Sequence, residues 1–288
     1  MPELPEVETV RRTLAPAVGA KIVAVWDSGM GLHMRRKPPR KQLQKLVGAT
    51  LTAMRRHGKY LLLDTDTPYT LLIHLGMTGR VLISAKSTPR PKHTHLVVSL
   101  AGRSESAPLH DRLGDRELRF IDARRFGQID IVERAREREH AGLGILGPDP
   151  LVHGIDVAAF AAAAKKKKTT LKAFVLDQSV LAGVGNIYAS EALWKAKLRP
   201  TTRAHKLTAE AAKRLAAAID EVLHHALDNG GTTLADFVAA DGAEGDNADY
   251  LWVYGRAGEK CLRCKKSVIR RAVHQGRATY FCPTCQTP

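Results

Sequence analysis

The spacing of apolar positions changes along the chain, and each change predicts a different kind of structure. Val7, Val10 and Leu14 recur at helical intervals, with Pro5 suited to a first turn and Pro16 ending the pattern. From residue 21 to 133 the apolar runs become short and are separated by Gly and Pro, which predicts an antiparallel pair of sheets. The predicted strands are residues 22–26, 60–63, 70–75, 81–84, 95–100, 118–121 and 129–132.

Helical periodicity returns after about residue 135. The predicted helices cover residues 156–168, 169–177, 187–197 and 208–228, and Gly230 and Gly231 end the last of them. The polar stretch 102–116 predicts a surface loop. This order of elements predicts an α+β fold, with an N-terminal helix and antiparallel β-sandwich over residues 1–135, a linker over 136–153, a helical domain over 154–240 and a final segment over 241–288.

Charge and composition limit the kinds of partner. Lys and Arg number 45 against 29 Asp and Glu, a net charge of +16, which indicates a polyanionic partner because contacts with phosphates release condensed counterions. No apolar run reaches the ~18 residues that a membrane span requires, and the acidic, Pro-rich start is unlike a signal peptide. We therefore expect a cytoplasmic protein with no membrane partner.

All four cysteines lie near the C-terminus in two pairs. Two residues separate Cys261 from Cys264, two separate Cys282 from Cys285, and seventeen lie between the pairs. This spacing is typical of a structural zinc site, so we expect one Zn²⁺ ion held by four thiolates, with no open position for catalysis. Basic residues surround the cysteines, which predicts a hairpin that lies against a phosphate backbone: Arg256, Lys260, Arg263, Lys265, Lys266, Arg270, Arg271 and Arg277.

Another anion-binding feature lies before the third predicted C-terminal helix. Gly183, Gly185 and Asn186 precede that helix, and a helix N-terminus with close backbone approach suits a phosphate. Taken alone, the same residues more often indicate an ordinary cap and turn.

Six segments resemble the formamidopyrimidine-DNA glycosylase family, in order along the whole chain. They are MPELPEVET at the start, GKYL at 58–61, IHLGMTG at 73–79, DARRFG at 122–127, residues 177–191 and the terminal cysteines. The resemblance implies a helix-two-turn-helix DNA-binding domain at 154–240, then a base-covering segment and zinc-finger hairpin at 241–288, with DNA held between the two halves. It also implies a bacterial, nucleoid-associated monomer that excises oxidised purines such as 8-oxoguanine and formamidopyrimidines from double-stranded DNA.

The resemblance assigns the catalytic group by position. After Met1 is removed, the secondary amine of Pro2 is expected to attack C1′ of the damaged nucleotide, and Glu3 to act as the acid. An α-amino group titrates near ~8 in model peptides, so part of it is the free nucleophile at neutral pH. The resulting iminium acidifies C2′ and drives β,δ-elimination. Lys59 and Arg277 complete the group as phosphate contacts.

The same resemblance assigns DNA-binding roles. Contacts to the site or its flanking phosphates are expected from Glu6, His74, Asn186 and Tyr254. A wedge that fills the space left by the extruded base is expected from Met77, Arg124 and Phe126. On local grounds alone, Glu6 would be a favourable charge in a first helical turn, and His74, Met77 and Phe126 would be read as core residues.

Two departures from the family pattern leave base preference open. The loop at 102–116 is long for the family, and residues 240–252 lack the expected aromatic pattern. An endonuclease VIII-like enzyme for oxidised pyrimidines is one alternative, although Leu4 stands where that branch typically has Gly. A non-catalytic zinc-finger DNA-binding protein is another, but it leaves Pro2, Glu3 and Lys59 unexplained.

Overall fold

The computed structural model describes residues 1–32, 38–102, 116–234 and 237–287. The predicted loop at 102–116 therefore lies almost wholly outside the described residues. The chain forms two compact units, one comprising Met1–Gly144 and Gly230–Asp246, the other Ile145–Asn229 and Asn247–Pro288. The first change of unit, between Gly144 and Ile145, falls within the linker predicted at 136–153. Residues 230–246, which span the boundary predicted at 240, belong to the first unit.

The first unit contains helix α1 (Leu4–Leu14) and two antiparallel four-stranded sheets. The remaining elements are β1 (Lys21–Asp27), α2 (Arg40–Leu43), β2 (Leu51–His57), β3 (Tyr60–Thr65), β4 (Tyr69–His74), β5 (Arg80–Ala85), β6 (Thr94–Ala101), β7 (Arg116–Ile121) and β8 (Gln128–Glu133). Strand order is β1-β6-β7-β5 in one sheet and β2-β3-β4-β8 in the other. All seven predicted strands are present.

One hydrophobic core joins α1 to the apolar faces of both sheets, with Val10, Leu61 and Phe120 among its members. Strand β2 was missed by the sequence prediction because an arginine occupies one of its inward positions. Arg56 is only 8% exposed, and a charged residue at that position hides the alternation of polar and apolar residues from which strands are predicted.

The second unit is helical and ends in a β-hairpin. Its elements are α3 (Pro150–His153), α4 (Val157–Lys165), α5 (Leu171–Val175), α6 (Asn186–Lys195), α7 (Ala209–Asp228), β9 (Arg270–His274) and β10 (Arg277–Phe281). The side chains of Asp156, Thr170 and Thr208 cap the first turns of α4, α5 and α7 by accepting backbone N–H groups. Helices α4 and α5 are both shorter than predicted, since α4 ends at Lys165 and α5 ends at Val175.

The predicted fold class is confirmed: an N-terminal helix with antiparallel sheets, then a helical domain and a four-cysteine hairpin. Within the described residues, no helix is both long enough and apolar enough to cross a bilayer.

Candidate active site and zinc centre

A reciprocal capping box fixes the residues at the start of α1. Glu3 accepts the Glu6 backbone N–H, and the Glu3 backbone N–H donates to Glu6 Oε2 at 2.7 Å. The other oxygen, Glu6 Oε1, accepts the Thr232 N–H at 2.8 Å. Pro2, Glu3 and Glu6 are all buried. Glu6 therefore orders the predicted catalytic residues and ties them to the segment Gly230–Asp246 of the same unit.

The turn that carries Lys59 is held by a buried ion pair behind it. Arg56 Nη1 donates to the Gly58 carbonyl at 3.1 Å, and Arg56 Nε donates to Glu8 Oε2 at 3.0 Å. Gly58 has a φ of 56°, which favours glycine at this turn. Lys59 itself is 9% exposed. Helix α1 and the Lys59 turn are thus joined through Glu8 and Arg56.

Burial alone would raise the pKa of Glu8, but the effect of its cationic partners is larger. Hydrogen bonds and charge from Arg11 and Arg56 lower the pKa to about 2. Glu8 therefore stays ionised across the physiological range and keeps the otherwise buried Arg56 guanidinium compensated.

The predicted wedge residues lie on two neighbouring loops. Met77 follows β4 and is 40% exposed, whereas Arg124 and Phe126 lie between β7 and β8. The Arg124 guanidinium is 4.7 Å from the centroid of the Phe126 ring. His74 ends β4, with its Nδ1 accepting the Gly76 N–H at 3.0 Å. Met77 and Arg124 are both exposed, so the interpretation of Met77 as a core residue on local grounds is wrong. Phe126 is half-buried.

Two of the predicted phosphate contacts, Asn186 and Tyr254, lie together in the second unit. Asn186 begins α6, and its Nδ2 donates to the Ala278 carbonyl at 3.0 Å and lies 3.4 Å from Tyr254 Oη. Arg277 precedes Ala278 on β10 and is exposed. The amide and the phenol are thus in contact, and the Asn186 amide also bonds to the residue that follows Arg277.

Two buried charged residues that sequence reasoning did not single out support this group. Glu191 accepts the backbone N–H groups of Trp252, Val253 and Tyr254 at 2.7–3.0 Å, and burial raises its pKa despite these bonds. Lys172 Nζ donates to the Ala278 carbonyl at 2.7 Å. In the sequence, both Glu191 and Lys172 are charged residues on the apolar face of a predicted helix, and this pattern could have identified them as buried supporting residues.

The four predicted metal ligands converge at one point. Their Sγ atoms all lie within 4.8 Å of one another, and the pairs Cys261–Cys285 and Cys264–Cys282 are each separated by 3.8 Å. A tetrahedral ion with sulfur ligands at ~2.3 Å requires sulfurs about 3.8 Å apart. The geometry and the all-sulfur donor set therefore fit zinc, as the spacing predicted.

Three family models match the chain in succession. The formamidopyrimidine-DNA glycosylase N-terminal domain matches residues 1–129, the formamidopyrimidine-DNA glycosylase H2TH domain matches 146–238, and the zinc finger found in FPG and IleRS matches 258–288. The chain belongs to the formamidopyrimidine-DNA glycosylase family. The resemblance stated from the sequence is confirmed.

Full-length relatives carry the same family name. Formamidopyrimidine-DNA glycosylases of Jannaschia sp. and Herpetosiphon aurantiacus are each 42% identical to this chain, over 99% of it and 100% of the relative. Among solved structures, a Lactococcus lactis FPG mutant bound to a Fapy-dG containing DNA has a TM-score of 0.88 and 32% identity, with both chains covered completely. A Lactococcus lactis Fpg complex with an abasic site containing DNA has a TM-score of 0.86 and 32% identity, over 99% of this chain and 100% of that one.

This formamidopyrimidine-DNA glycosylase family member is accordingly a DNA repair glycosylase with a zinc finger.

Proposed function

We propose that the chain is a bifunctional DNA glycosylase and abasic-site lyase that removes oxidised purines from duplex DNA through a covalent intermediate on Pro2. The observation that carries the proposal is the Pro2–Glu3 pair, buried and fixed at the start of α1, in a chain whose three parts match this family in order. The names of the relatives and the lesion-containing DNA in the matched structures support the same substrate class.

The reaction begins at Pro2 once Met1 has been removed. The secondary amine attacks C1′, the damaged base leaves, and Glu3 donates a proton to the ring oxygen so that the sugar opens to an iminium. Because a secondary amine forms only a cationic iminium, the C2′ proton becomes acidic, and its loss expels the 3′ phosphate and leaves an unsaturated iminium. Loss of the C4′ proton from that iminium then expels the 5′ phosphate. The position of Glu3 supports this assignment, because its carboxyl group is one residue away from the Pro2 amine in the chain.

Phosphate binding follows from two groups of cations and donors. Lys59 and His74 serve the damaged nucleotide and its neighbour in the first unit, and Asn186, Tyr254 and Arg277 serve flanking phosphates in the second. The contacts of Asn186 Nδ2 with Tyr254 and Ala278 support the second group. Glu6 acts on the site through the Glu3 and Thr232 backbones.

One zinc ion per chain is proposed for the four cysteines, on the strength of their tetrahedral sulfur spacing. When bound, the ion supplies structural cross-linking and no catalytic step, since four thiolates leave no open position. The residues that then act on DNA are the basic side chains of the hairpin. The protein is proposed to work as a monomer on the DNA of a bacterial cytoplasm.

The test compares cleavage of matched duplexes carrying 8-oxoguanine, a formamidopyrimidine or thymine glycol, with the intact mass of the protein measured alongside. We expect the two oxidised purines to be excised by the preparation that has lost Met1. Preference for thymine glycol would favour the endonuclease VIII-like alternative. Binding of all three duplexes without cleavage, by protein whose mass shows Pro2 exposed, would favour a non-catalytic DNA-binding protein.

A further inference from the structure

A buried carboxylate connects the two loops that carry the wedge. Asp122 is fully buried, and its Oδ1 accepts the Thr78 hydroxyl at 2.6 Å and the Arg124 backbone N–H at 3.2 Å. Its Oδ2 accepts the Gly127 N–H at 2.7 Å. One side chain therefore bonds to the residue after Met77 and to both sides of the Arg124–Phe126 stretch.

Thr78 completes the connection from the opposite loop. Its Oγ1 donates to Asp122 and also lies 3.3 Å from the Arg124 backbone N–H, as an acceptor. The Asp122 backbone is held as well, with its N–H donating to the His93 carbonyl and its carbonyl 3.0 Å from His95 Nε2. The carboxylate cannot shift without breaking bonds to both wedge loops, and the Asp122 backbone is tied to a third segment through His93 and His95.

Glycines allow the two loops to approach this closely. A Cβ added to Gly76, whose φ is +63°, would lie 2.4 Å from the Phe126 carbonyl carbon. A Cβ on Gly127 would lie 2.5 Å from the Phe120 ring and 3.1 Å from Asp122 Oδ2. At Gly76 the two loops are therefore packed backbone against backbone.

We infer that Asp122, with Thr78, is a positioning residue that holds Met77, Arg124 and Phe126 in one arrangement and thereby controls base extrusion and the choice of opposite base. This inference rests on the wedge role in the proposed function. A wedge acts by fitting a gap of fixed shape, and a displacement of about 1 Å in a positioned group can reduce a rate on the order of 100-fold. Asp122 touches no DNA in this account; it acts only through the loops.

The substitutions follow from the bonding pattern. Asp122→Asn replaces one carboxylate oxygen with an NH₂ group. If the NH₂ takes the place of Oδ2, the Gly127 N–H loses its acceptor; if it takes the place of Oδ1, the Thr78 hydroxyl loses its acceptor and the Arg124 N–H keeps only Thr78 Oγ1. Thr78→Val removes the hydroxyl at nearly constant volume, and Thr78→Ser restores it. Asp66→Asn is the matched control, because Asp66 also accepts a backbone N–H in this unit, from Thr50 at 2.9 Å, but lies outside the wedge loops.

The readouts are excision of 8-oxoguanine opposite cytosine and opposite adenine, strand cleavage at a preformed abasic site, and thermal unfolding. For Asp122→Asn we expect excision about 10- to 100-fold slower and a smaller ratio between the excision rates opposite cytosine and opposite adenine. Strand cleavage at the abasic site should be slowed much less, because no base has to be extruded there. Thr78→Val should show a weaker form of this pattern, and Thr78→Ser should restore the wild-type ratio. Equal losses on all substrates with a lower melting temperature would show a purely structural role and overturn the inference.

Hydrogen exchange in the free protein separates this inference from the proposed function. If wild-type protein leaves oxidised duplexes intact, the proposed function fails, yet Asp122→Asn should still speed amide exchange at Arg124 or Gly127, depending on which oxygen the NH₂ group replaces, while Asp66→Asn should not. Unchanged exchange at both amides would overturn the positioning role, whatever the enzyme does. Wild-type excision together with wild-type partner choice in Asp122→Asn and Thr78→Val would overturn it as well.

Discussion

The start of α1 and the cysteine hairpin are both built to hold functional side chains, but by different means. At the start of α1, Glu3 and Glu6 are fixed by backbone hydrogen bonds above a core that includes both sheets. The hairpin packs on a small apolar cluster of Trp194, Val253 and Ile269, in which two of the cysteines, Cys261 and Cys282, take part.

Because of this difference, substitutions in the two regions should have different effects. A large core tolerates the loss of one polar side chain near its edge, so changes at Glu3 should alter chemistry before they alter folding, whereas the buried ion pair of Glu8 and Arg56 contributes to stability. A small module gains much of its stability from metal binding, because the ligands are brought together only when the ion is bound. Changes at the hairpin should therefore act through local structure and DNA affinity.

Glu3→Gln should have the largest effect on the first region. The amide keeps the size of the side chain but cannot donate the proton, so excision should fall about 100- to 10,000-fold, the usual contribution of a general acid. Single-turnover excision and binding of lesion-containing DNA are the measurements. Binding should stay close to wild type, and Glu210→Gln, an exposed change on α7, should alter neither. Wild-type turnover in Glu3→Gln would show that Glu3 is not the catalytic acid.

Glu8→Gln should lower the free energy of unfolding, because it breaks the ion pair between Glu8 and Arg56. Because the folded pKa is about 2 and the ordinary value is 4.5, the ionised group contributes about 3 kcal/mol to stability. That contribution is present above pH 4.5 and is lost as the pH falls through about 2. Denaturant unfolding of both proteins at pH 7 and pH 3 should therefore give a larger difference at pH 7. A pH-independent difference would contradict the ion-pair explanation.

Cys282→Ser tests the second region. Bound zinc should fall, and the dissociation constant for duplex DNA should rise on the order of tenfold as hairpin contacts with phosphates are lost. The melting transition of the first unit should be retained. Val273→Ala, an exposed change on β9, is the control for the hairpin surface. Normal DNA binding by zinc-depleted Cys282→Ser would show that the hairpin is not part of the interface.

The wedge gives the smallest and most specific effect. Arg124→Ala should reduce discrimination between cytosine and adenine opposite the lesion about fivefold, the lower end of what one base-specific contact contributes. Phe126→Ala should slow excision equally for both partners, because a ring replaces stacking without reading the partner. If Phe126 controlled partner choice and Arg124 did not, the assignment would be wrong, and Arg125 would be the next residue to test.

Sequence patterns predicted most of this architecture because its elements follow regular spacing. Short-range sequence patterns identify the seven strands, the cysteine pairs and the capped helices, and such patterns can be recognised without a three-dimensional structure. Strand β2 and the supporting residues Asp122, Glu191 and Lys172 were not predicted from these patterns. Each involves a buried charged residue, and such a residue can be recognised only when its partners in the folded protein are known. The partners of Asp122 include Thr78, 44 residues away in the chain, and those of Lys172 include Ala278, 106 residues away.

Borohydride reduction during a reaction with 8-oxoguanine DNA tests the central claim most directly, because it fixes the iminium to the residue that formed it. Peptide mapping of the trapped complex should find the adduct on the N-terminal peptide at Pro2, and only in protein that has lost Met1. An adduct on Lys59, with the Pro2 amine free, would contradict the account.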